Sequence, residues 1–560
     1  MTGVVAARPR VRRWAVAGLL ALAALLRLTG LGQESLWFDE AYSVAFGRNP
    51  LSAFSLINLQ GPPFTDRNLY HLFLHFWLRV GTSEWLIRLP SVAFGLATVY
   101  VVCRLGAALW DEETGLLAGL LMAVSPFHVW YSQEARMYAL VALCTAVGTW
   151  LFWQMIQEGK LGRIAGYVLA MALGLYTHSF ALLLLLYHNL YVAVCLVRRK
   201  LPRRFLQSWL LAQLALFLLY LPWLRGILSQ QSQGWWSWIT VEYGPATLRS
   251  VVELLVAFGN GGLAWPALAK GALLLFCGVL CAAGAGKLTF LSPSEGEGGG
   301  EGGPAAPASL VSPGEPPFGR LECPPGHRFA PHREGAREPL AARPPVSSRG
   351  EGWKRENTGG FWLGLWPVEQ SWAFAAGLLL VPVGLALALS QVRNMFVPRY
   401  MLPFLPGFVL LLARGVRCLP WRPVGMVALA ALLAVAGLGL ADIYLQQQKE
   451  DWRGAARWVA AEEQPGDLIF LMDGDIIIPF RHYYTGAGEL QEVWRRREPE
   501  VLRELVNQAV AAHPHIWLVL SHCDNLTLKE MLANDRRLHL GAERQYLGVY
   551  VARFDRVGGG

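Results

Sequence analysis

Long apolar runs separated by short polar stretches occupy the first 445 positions of the chain. The runs reach about 20 residues, enough for a helix to cross roughly 30 Å of hydrocarbon, and they are continuous rather than alternating, which predicts helices and not barrel strands. Spans are expected near 14–31, 85–109, 114–129, 137–156, 162–178, 180–197, 206–225, 263–285, 369–390, 399–414 and 423–443. Two regions break the pattern. From about 291 to 360, opening on "SPSEGEGGGEGG", Gly, Pro, Ser and charge replace apolar periodicity, which predicts a disordered insertion. From Lys449 to Phe554 the chain reads as a small α/β unit: "DWRGAARWVAAE" has helical spacing, "DLIFLM" and "HIWLVLS" read as buried strands, and "VLRELVNQAVAA" is an amphipathic helix between them. That unit is expected to act as a lid or a docking platform.

The expected fold is an all-α polytopic membrane protein of about eleven transmembrane helices with a small extracytoplasmic α/β domain. Its parts are an N-terminal transmembrane module (1–285), the Gly/Pro-rich cytoplasmic insertion (286–360), further transmembrane helices (361–445) and the α/β domain (446–560). Composition agrees, with 54% hydrophobic and 16% charged residues and a mean hydropathy of +0.33. The net charge of +9 calls for no nucleic acid, because Arg and Lys sit mostly at helix ends and in short loops, where they set orientation and touch anionic lipid. The eight cysteines are scattered, and Cys277 and Cys281, one helical turn apart, read as packing residues. The basic N-terminus precedes a first span expected to be retained, since no small-x-small cleavage site follows it.

Arg8, Arg10, Arg12 and Arg13 place the N-terminus in the cytoplasm, and "RRKLPRR" after the sixth span and Arg414, Arg417 and Arg422 after the tenth fall on the same side. Four polar segments and the tail then share the outer face: "ESLWFDEAYS", "FHVWYSQEARMY", "QGWWSWITVEYG" and "NMFVPRYMLP". In the first, Asp39 and Glu40 stand among Trp37, Phe38 and Tyr42; a carboxylate partly desolvated by aromatic rings can act as a general base, whereas a solvated loop with an aromatic belt is the plainer reading. The second brings Glu134 and Arg136 to that face. Two acidic loops together would flank an acceptor hydroxyl or, the weaker reading, hold a divalent metal ion through oxygen ligands; Glu134 and Arg136 pairing with each other is the structural alternative. No HExxH or Cys-rich spacing supports zinc.

In "VPRYMLPFLPGF", Arg399 and Tyr400 enter a span from the outer side, and a guanidinium at that depth needs an anion, with a lipid phosphate the natural one and snorkelling to ordinary headgroups the alternative. "TDRNLYHLFLHFWLRVG" supplies Asp66, Arg67, His71 and His75, with Tyr70, Phe73, Leu74 and Trp77 giving the apolar face of an interfacial helix. His71 and His75, one turn apart, have metal-ligand spacing but more often satisfy local hydrogen bonds. His178 stands at the outer end of the fifth span, where it can touch a substrate, and His188 is deeper and structural.

The combination of "LWFDEAYS", "YSQEARMYAL", "YTHSFALLLL" and "VPRYMLPFLPGF", extended by "KEDWRGAARWVAAEEQPGDLIFL", resembles the membrane glycosyltransferases of the GT-C fold, family 39 type, which include protein O-mannosyltransferases and the lipid A aminoarabinose transferase. The resemblance implies a polyprenyl-phosphate sugar as donor, reaction at the extracytoplasmic face of the cytoplasmic membrane, inversion at the anomeric carbon, and a protein, lipid or glycan acceptor. It implies Asp39 as the base, Glu40 beside it, Glu134 as a second acidic contributor, and Arg399 and Tyr400 on the departing lipid phosphate. Many relatives carry a His- or Lys-Pro-Pro-Leu-Tyr element before the second span; here the sequence departs from it, with Asp66, Arg67 and Asn68 ahead of Leu69 and Tyr70 and Pro62 and Pro63 further back, and the resemblance implies Arg67 as the basic residue expected to contact phosphate. Arg136, His178 and Tyr70 complete the expected substrate contacts. A transporter or flippase for lipid-linked sugars is the rival class, and a non-catalytic assembly or sensor protein a third; the missing mid-membrane charges and inverted repeats speak against transport.

Overall fold

The computed structural model describes residues 9–54, 69–158, 161–198, 201–229, 243–286, 368–472, 474–494, 498–521 and 527–557, together with residue 239. The Gly/Pro-rich stretch 291–360, Arg67 with its Asp66 neighbour, and most of "QGWWSWITVEYG" lie outside the described residues.

Helices follow the apolar runs. After α1 (Pro9–Leu28) come two short helices, α2 (Phe38–Gly47) and α3 (Leu69–Trp77), and then α4 (Glu84–Leu109). The chain continues through α5 (Glu112–Val124), α6 (Pro126–Ser132), α7 (Tyr138–Glu158), α8 (Ile164–Thr177), α9 (Ala181–Val197) and α10 (Arg203–Ser229) to the amphipathic α11 (Leu248–Asn260), which the sequence reading did not anticipate. The bundle is completed by α12 (Ala267–Gly284), α13 (Val368–Ser390), α14 (Leu405–Cys418), which a 3₁₀ segment Pro398–Phe404 precedes, and α15 (Arg422–Leu445). Among the described residues seven helices are long and apolar enough to cross a membrane, and the α5–α6 pair makes eight. The remaining expected spans coincide with α1, α8 and α9. With 14 and 17 residues, α8 and α9 rise only about 21 and 26 Å, short of a hydrocarbon core of about 30 Å.

The span expected at 114–129 is broken, with α5 and α6 meeting at 62°. Pro126 lacks an N–H and holds Ser125 in extended backbone, so the helix cannot run through. The carbonyls this releases need donors. Arg27 of α1, fully buried, supplies them: Nη1 donates to Ala123 O at 2.9 Å and Nη2 to Met122 O at 3.3 Å. Its Nη2 also meets His128 Nδ1 at 2.7 Å, and Nε donates to Ser132 Oγ at 3.3 Å. His128 is thereby part of the helix break and fully buried.

Small residues set the closest helix approaches. A Cβ on Gly415 of α14 would lie 2.2 Å from the Leu280 carbonyl oxygen of α12, and backbone cannot yield as a side chain can. Gly415→Val is therefore expected to lower the melting temperature of the purified protein, at a cost of about 1–3 kcal/mol. Gly437→Val on α15, where a Cβ meets nothing within 4 Å, is the neutral control.

The tail folds into the expected α/β unit. Its sheet has strands β1 (Leu468–Met472), β2 (Glu489–Val493), β3 (His515–Leu520), β4 (Leu538–Tyr546) and β5 (Val549–Arg556) in the order β2-β1-β3-β5-β4, with β1 parallel to both neighbours and β5 antiparallel to both of its own. The unbroken apolar run of β1 is buried on both faces, as a central parallel strand requires. One face is covered by α18 (Pro499–Ala512) and α19 (Thr527–Ala533), the other by α16 (Trp452–Glu462) and α17 (Ile477–Tyr483), with Trp452, Trp458 and Phe480 in the core. Ile478 and Tyr483 of α17 pack on Leu36, Ala41 and Val44, so this face of the domain seats α2.

Candidate active site

Adjacent positions on a helix point about 100° apart, and α2 uses this to divide its two carboxylates. Glu40 turns into the protein and is fully buried. Arg88 of α4 grips it through two bonds, Nε to Oε1 at 2.8 Å and Nη2 to Oε2 at 2.6 Å. The Ala135 N–H donates to Oε1 at 2.8 Å, and Lys449 Nζ donates to Oε2 at 3.3 Å. Burial alone would raise the pKa of Glu40; the charges of Arg88 and Lys449 and the bonds from Arg88 and Ala135 outweigh it and hold the carboxyl well below its usual range. Arg88 also donates to the carbonyls of Leu31, Glu34 and Ser35 and so fixes the link between α1 and α2.

Asp39 turns the other way and remains 19% exposed. Its Oδ2 lies 3.5 Å from Arg399 Nη1 and 3.8 Å from Arg136 Nη2. Arg136 additionally donates to the Asp39 carbonyl and to Ser43 Oγ, each at 3.2 Å, which orients the first turn of α2. The Arg399 guanidinium sits 5.8 Å from the centre of the Trp37 ring. Tyr400, next in the chain, forms an aromatic wall with His178 at 4.8 Å and Phe180 at 5.3 Å between ring centroids. Three segments that the sequence puts on one face thus meet: the start of α2, the turn before α7 and the Pro398–Phe404 segment.

Glu134, on that turn, is 1% exposed, and its Oε2 has no hydrogen-bond partner among the described residues. Burial pushes its pKa up to about 7, with Lys449 and Arg399 pulling down and Glu40 and Asp39 pushing up. A carboxyl group poised there exchanges protons near neutral pH.

Tyr70, expected to touch substrate, is instead fully buried beside α4, its hydroxyl 3.4 Å from Ser91 Oγ. Glu40, expected to act beside Asp39, is enclosed by its ion pairs in the same way. His75 donates from Nδ1 to Gly47 O at 2.9 Å and has Arg79 at Nε2, so both its nitrogens serve local contacts. Arg67 is outside the described residues. Among the described residues no three His, Cys, Asp or Glu side chains are grouped to hold a metal ion, and Asp39 already faces two guanidinium groups.

Sequence reading missed the residues that lock this end of the bundle to the tail. Glu450 Oε2 accepts from the Phe38 N–H at 3.1 Å and from Trp452 Nε1 at 2.5 Å. Tyr483 accepts from the Leu36 N–H and donates to Glu84, which also pairs with Arg453 at 2.7 Å. The signal available was the polar cluster "KEDW", three glutamines after the last apolar run. A cleft of roughly 500 Å³ opens between the ends of α1 and α15 and the start of α16, floored by Arg88 and Lys449; neither Asp39 nor Arg399 lines it.

A family model described as dolichyl-phosphate-mannose-protein mannosyltransferase matches residues 68–224, which include Arg88, Glu134, Arg136 and His178. The chain is also similar to the crystal structure of ArnT from Cupriavidus metallidurans bound to undecaprenyl phosphate, with a TM-score of 0.53 and 12% identity over 96% of this chain and 97% of that one. The apo state of the same protein gives a TM-score of 0.52 and 12% identity, over 97% and 98% of the two chains. Likeness at such identity is a likeness of fold, and it extends over the tail as well as the bundle. Motifs, family match and fold agree: the chain is a polytopic membrane protein of GT-C fold, of the kind found in the family 39 glycosyltransferases that its sequence resembles.

Proposed function

We propose that this protein is a glycosyltransferase that moves a sugar from a polyprenyl-phosphate carrier to a hydroxyl or amine acceptor on the extracytoplasmic side of the cytoplasmic membrane. The observation that carries the reading is the niche in which the guanidinium groups of Arg136 and Arg399 each lie within 4 Å of Asp39 Oδ2, at the same end of the bundle as Glu134. The family match and the undecaprenyl phosphate bound by the structural neighbour support the class of donor.

In this reading the donor's phosphodiester, whose two free oxygens share one negative charge and suit the planar guanidinium, engages Arg399 beside Asp39, and Tyr400 and His178 flank it. Asp39, still oriented by Arg136, accepts the proton of the acceptor as its oxygen or nitrogen bonds to the anomeric carbon. The bond from that carbon to the phosphate oxygen breaks on the opposite side, which inverts the configuration, and the electron pair leaves on the lipid phosphate opposite the Arg399 charge. Glu134 offers a second carboxyl group for the sugar or for carrying the proton away. Glu40 is left a holding role.

The test is incubation of the purified protein with polyprenyl-phosphate sugars and measurement of released polyprenyl phosphate. No release with any such donor, alongside transport of lipid-linked sugar in liposomes, would replace the reading with that of a flippase. Arg399→Ala is expected to weaken donor binding about 10–100-fold, the worth of a charge-assisted contact, with little change in melting temperature. Unchanged donor affinity by equilibrium binding would remove Arg399 from the phosphate site.

A further inference from the structure

The tail delivers a cation to the buried carboxylate of Glu40 and the turn that carries Glu134. Lys449 lies after the last membrane helix, yet its side chain is 6% exposed and its Nζ reaches Glu40 Oε2 at 3.3 Å and the Gln133 carbonyl at 3.1 Å, with the Trp130 ring 5.5 Å away. An ammonium group is costly to bury, and a hydrophobic residue or a surface lysine would serve ordinary packing better. Arg88 already makes two bonds to Glu40, and Lys449 adds a third while also reaching the turn that carries Glu134.

The backbone around Lys449 is held just as firmly. Gln448 and Lys449 both donate their N–H groups to Glu34 Oε1, at 2.5 and 3.3 Å, and Ser35 Oγ donates to Glu450 O at 2.5 Å. The residue that follows Gln133 is Glu134. Charged and titratable groups acting on Glu134 come from every side: Asp39 and Glu40 on α2, Tyr70 on α3, Tyr131 on α6, Arg399 from the Pro398–Phe404 segment, and Lys449. Lys449 is the strongest of the charges acting on it.

We propose that Lys449 is a positioning residue for the transfer reaction: the α/β domain inserts it between Glu40 and the Gln133–Glu134 turn to set the charge state of Glu134. The inference rests on reading Glu134 as a working carboxyl group of the transferase. Burial, with Arg88 beside it, draws the pKa of Lys449 below the usual lysine range, while Glu40 and Glu134 oppose that. The charged form is therefore kept by the very carboxylates it serves. The domain then completes the site chemically and is more than a lid.

The test is infrared difference titration of the detergent-purified full chain, following the protonated-carboxyl band that disappears in Glu134→Gln. This readout needs no substrate, so it is decided whether or not the sugar donor has been identified. In the unaltered protein the band is expected to titrate near neutral pH. In Lys449→Met its midpoint should rise by about 1 unit, because removing an opposite charge favours the protonated acid. Lys449→Arg, which restores the charge, should return it toward the original value, and the acidic limb of the kcat/KM profile should move with the band. An unmoved midpoint in Lys449→Met, equal displacement by Met and Arg, or a Glu134 band absent at every pH would each overturn the proposal. Each variant is titrated as the monodisperse fraction from gel filtration, and if Lys449→Met yields none, a midpoint displaced upward in Lys449→Arg, which keeps the charge, overturns the proposal.

Discussion

Asp39→Asn is expected to lower turnover by about 10²–10⁴-fold, the usual worth of a positioned general base. The amide preserves the shape of the side chain and can still accept a bond from Arg136, so the first turn of α2 should hold, with Arg136 remaining on the Asp39 carbonyl and Ser43 Oγ. Donor binding should be unchanged or tighter, since the substitution frees Arg399 from the carboxylate 3.5 Å away. The measurement is steady-state release of polyprenyl phosphate beside equilibrium donor binding. Full turnover by Asp39→Asn would show that the proton is taken elsewhere, with Glu134 the next group to replace.

The neighbouring residue should behave in the opposite manner. Glu40→Gln removes the negative charge from a fully buried cluster and takes the paired carboxylate from both Arg88 and Lys449. Breaking a buried pair in this way costs about 3–5 kcal/mol, so the principal result should be a marked loss of melting temperature and of folded yield. The same logic gives a pH dependence. The pKa of Glu40 is lowered in the folded protein, so its contribution is fully present above the ordinary carboxylate range and is lost as the pH falls through the lowered value. Thermal melting between neutral and acid pH checks this: the unaltered protein should lose stability on acidification more steeply than Glu40→Gln. Equal slopes would mean that the cluster does not titrate with folding.

The membrane architecture was legible because the hydrocarbon imposes a length and a polarity that any residue order must respect. Asp39, Glu134, Arg136 and Arg399 could be assigned to one face for the same reason, since loop charge sets sidedness. Other features depend on contacts between distant positions. Nothing near Glu40 in the sequence says that it turns inward while Asp39 turns outward; that follows from α17 seating α2 and from Arg88, 48 positions away. Lys449 meets Glu40 across 409 positions. The break between α5 and α6 had a local signal in Pro126, but hydropathy averages over it, and its remedy, Arg27, sits 96 positions from the carbonyl of Ala123. In the tail, the buried strands β1 and β3 were visible as apolar runs, whereas β4, with a largely exposed pattern, offered no such signal.

The clamp built from Gln448 to Trp452 has a consequence for biosynthesis. A ribosome that has just released Leu445 has already supplied the helices from α1 to α15, yet Glu40 still lacks its lysine partner and the start of α2 the carboxylate that ties it down. The start of α2 is therefore fixed only once the last fifth of the polypeptide has folded and seated against the bundle. A prematurely terminated chain is expected to supply those helices yet leave Glu40 without its lysine and the start of α2 without Glu450.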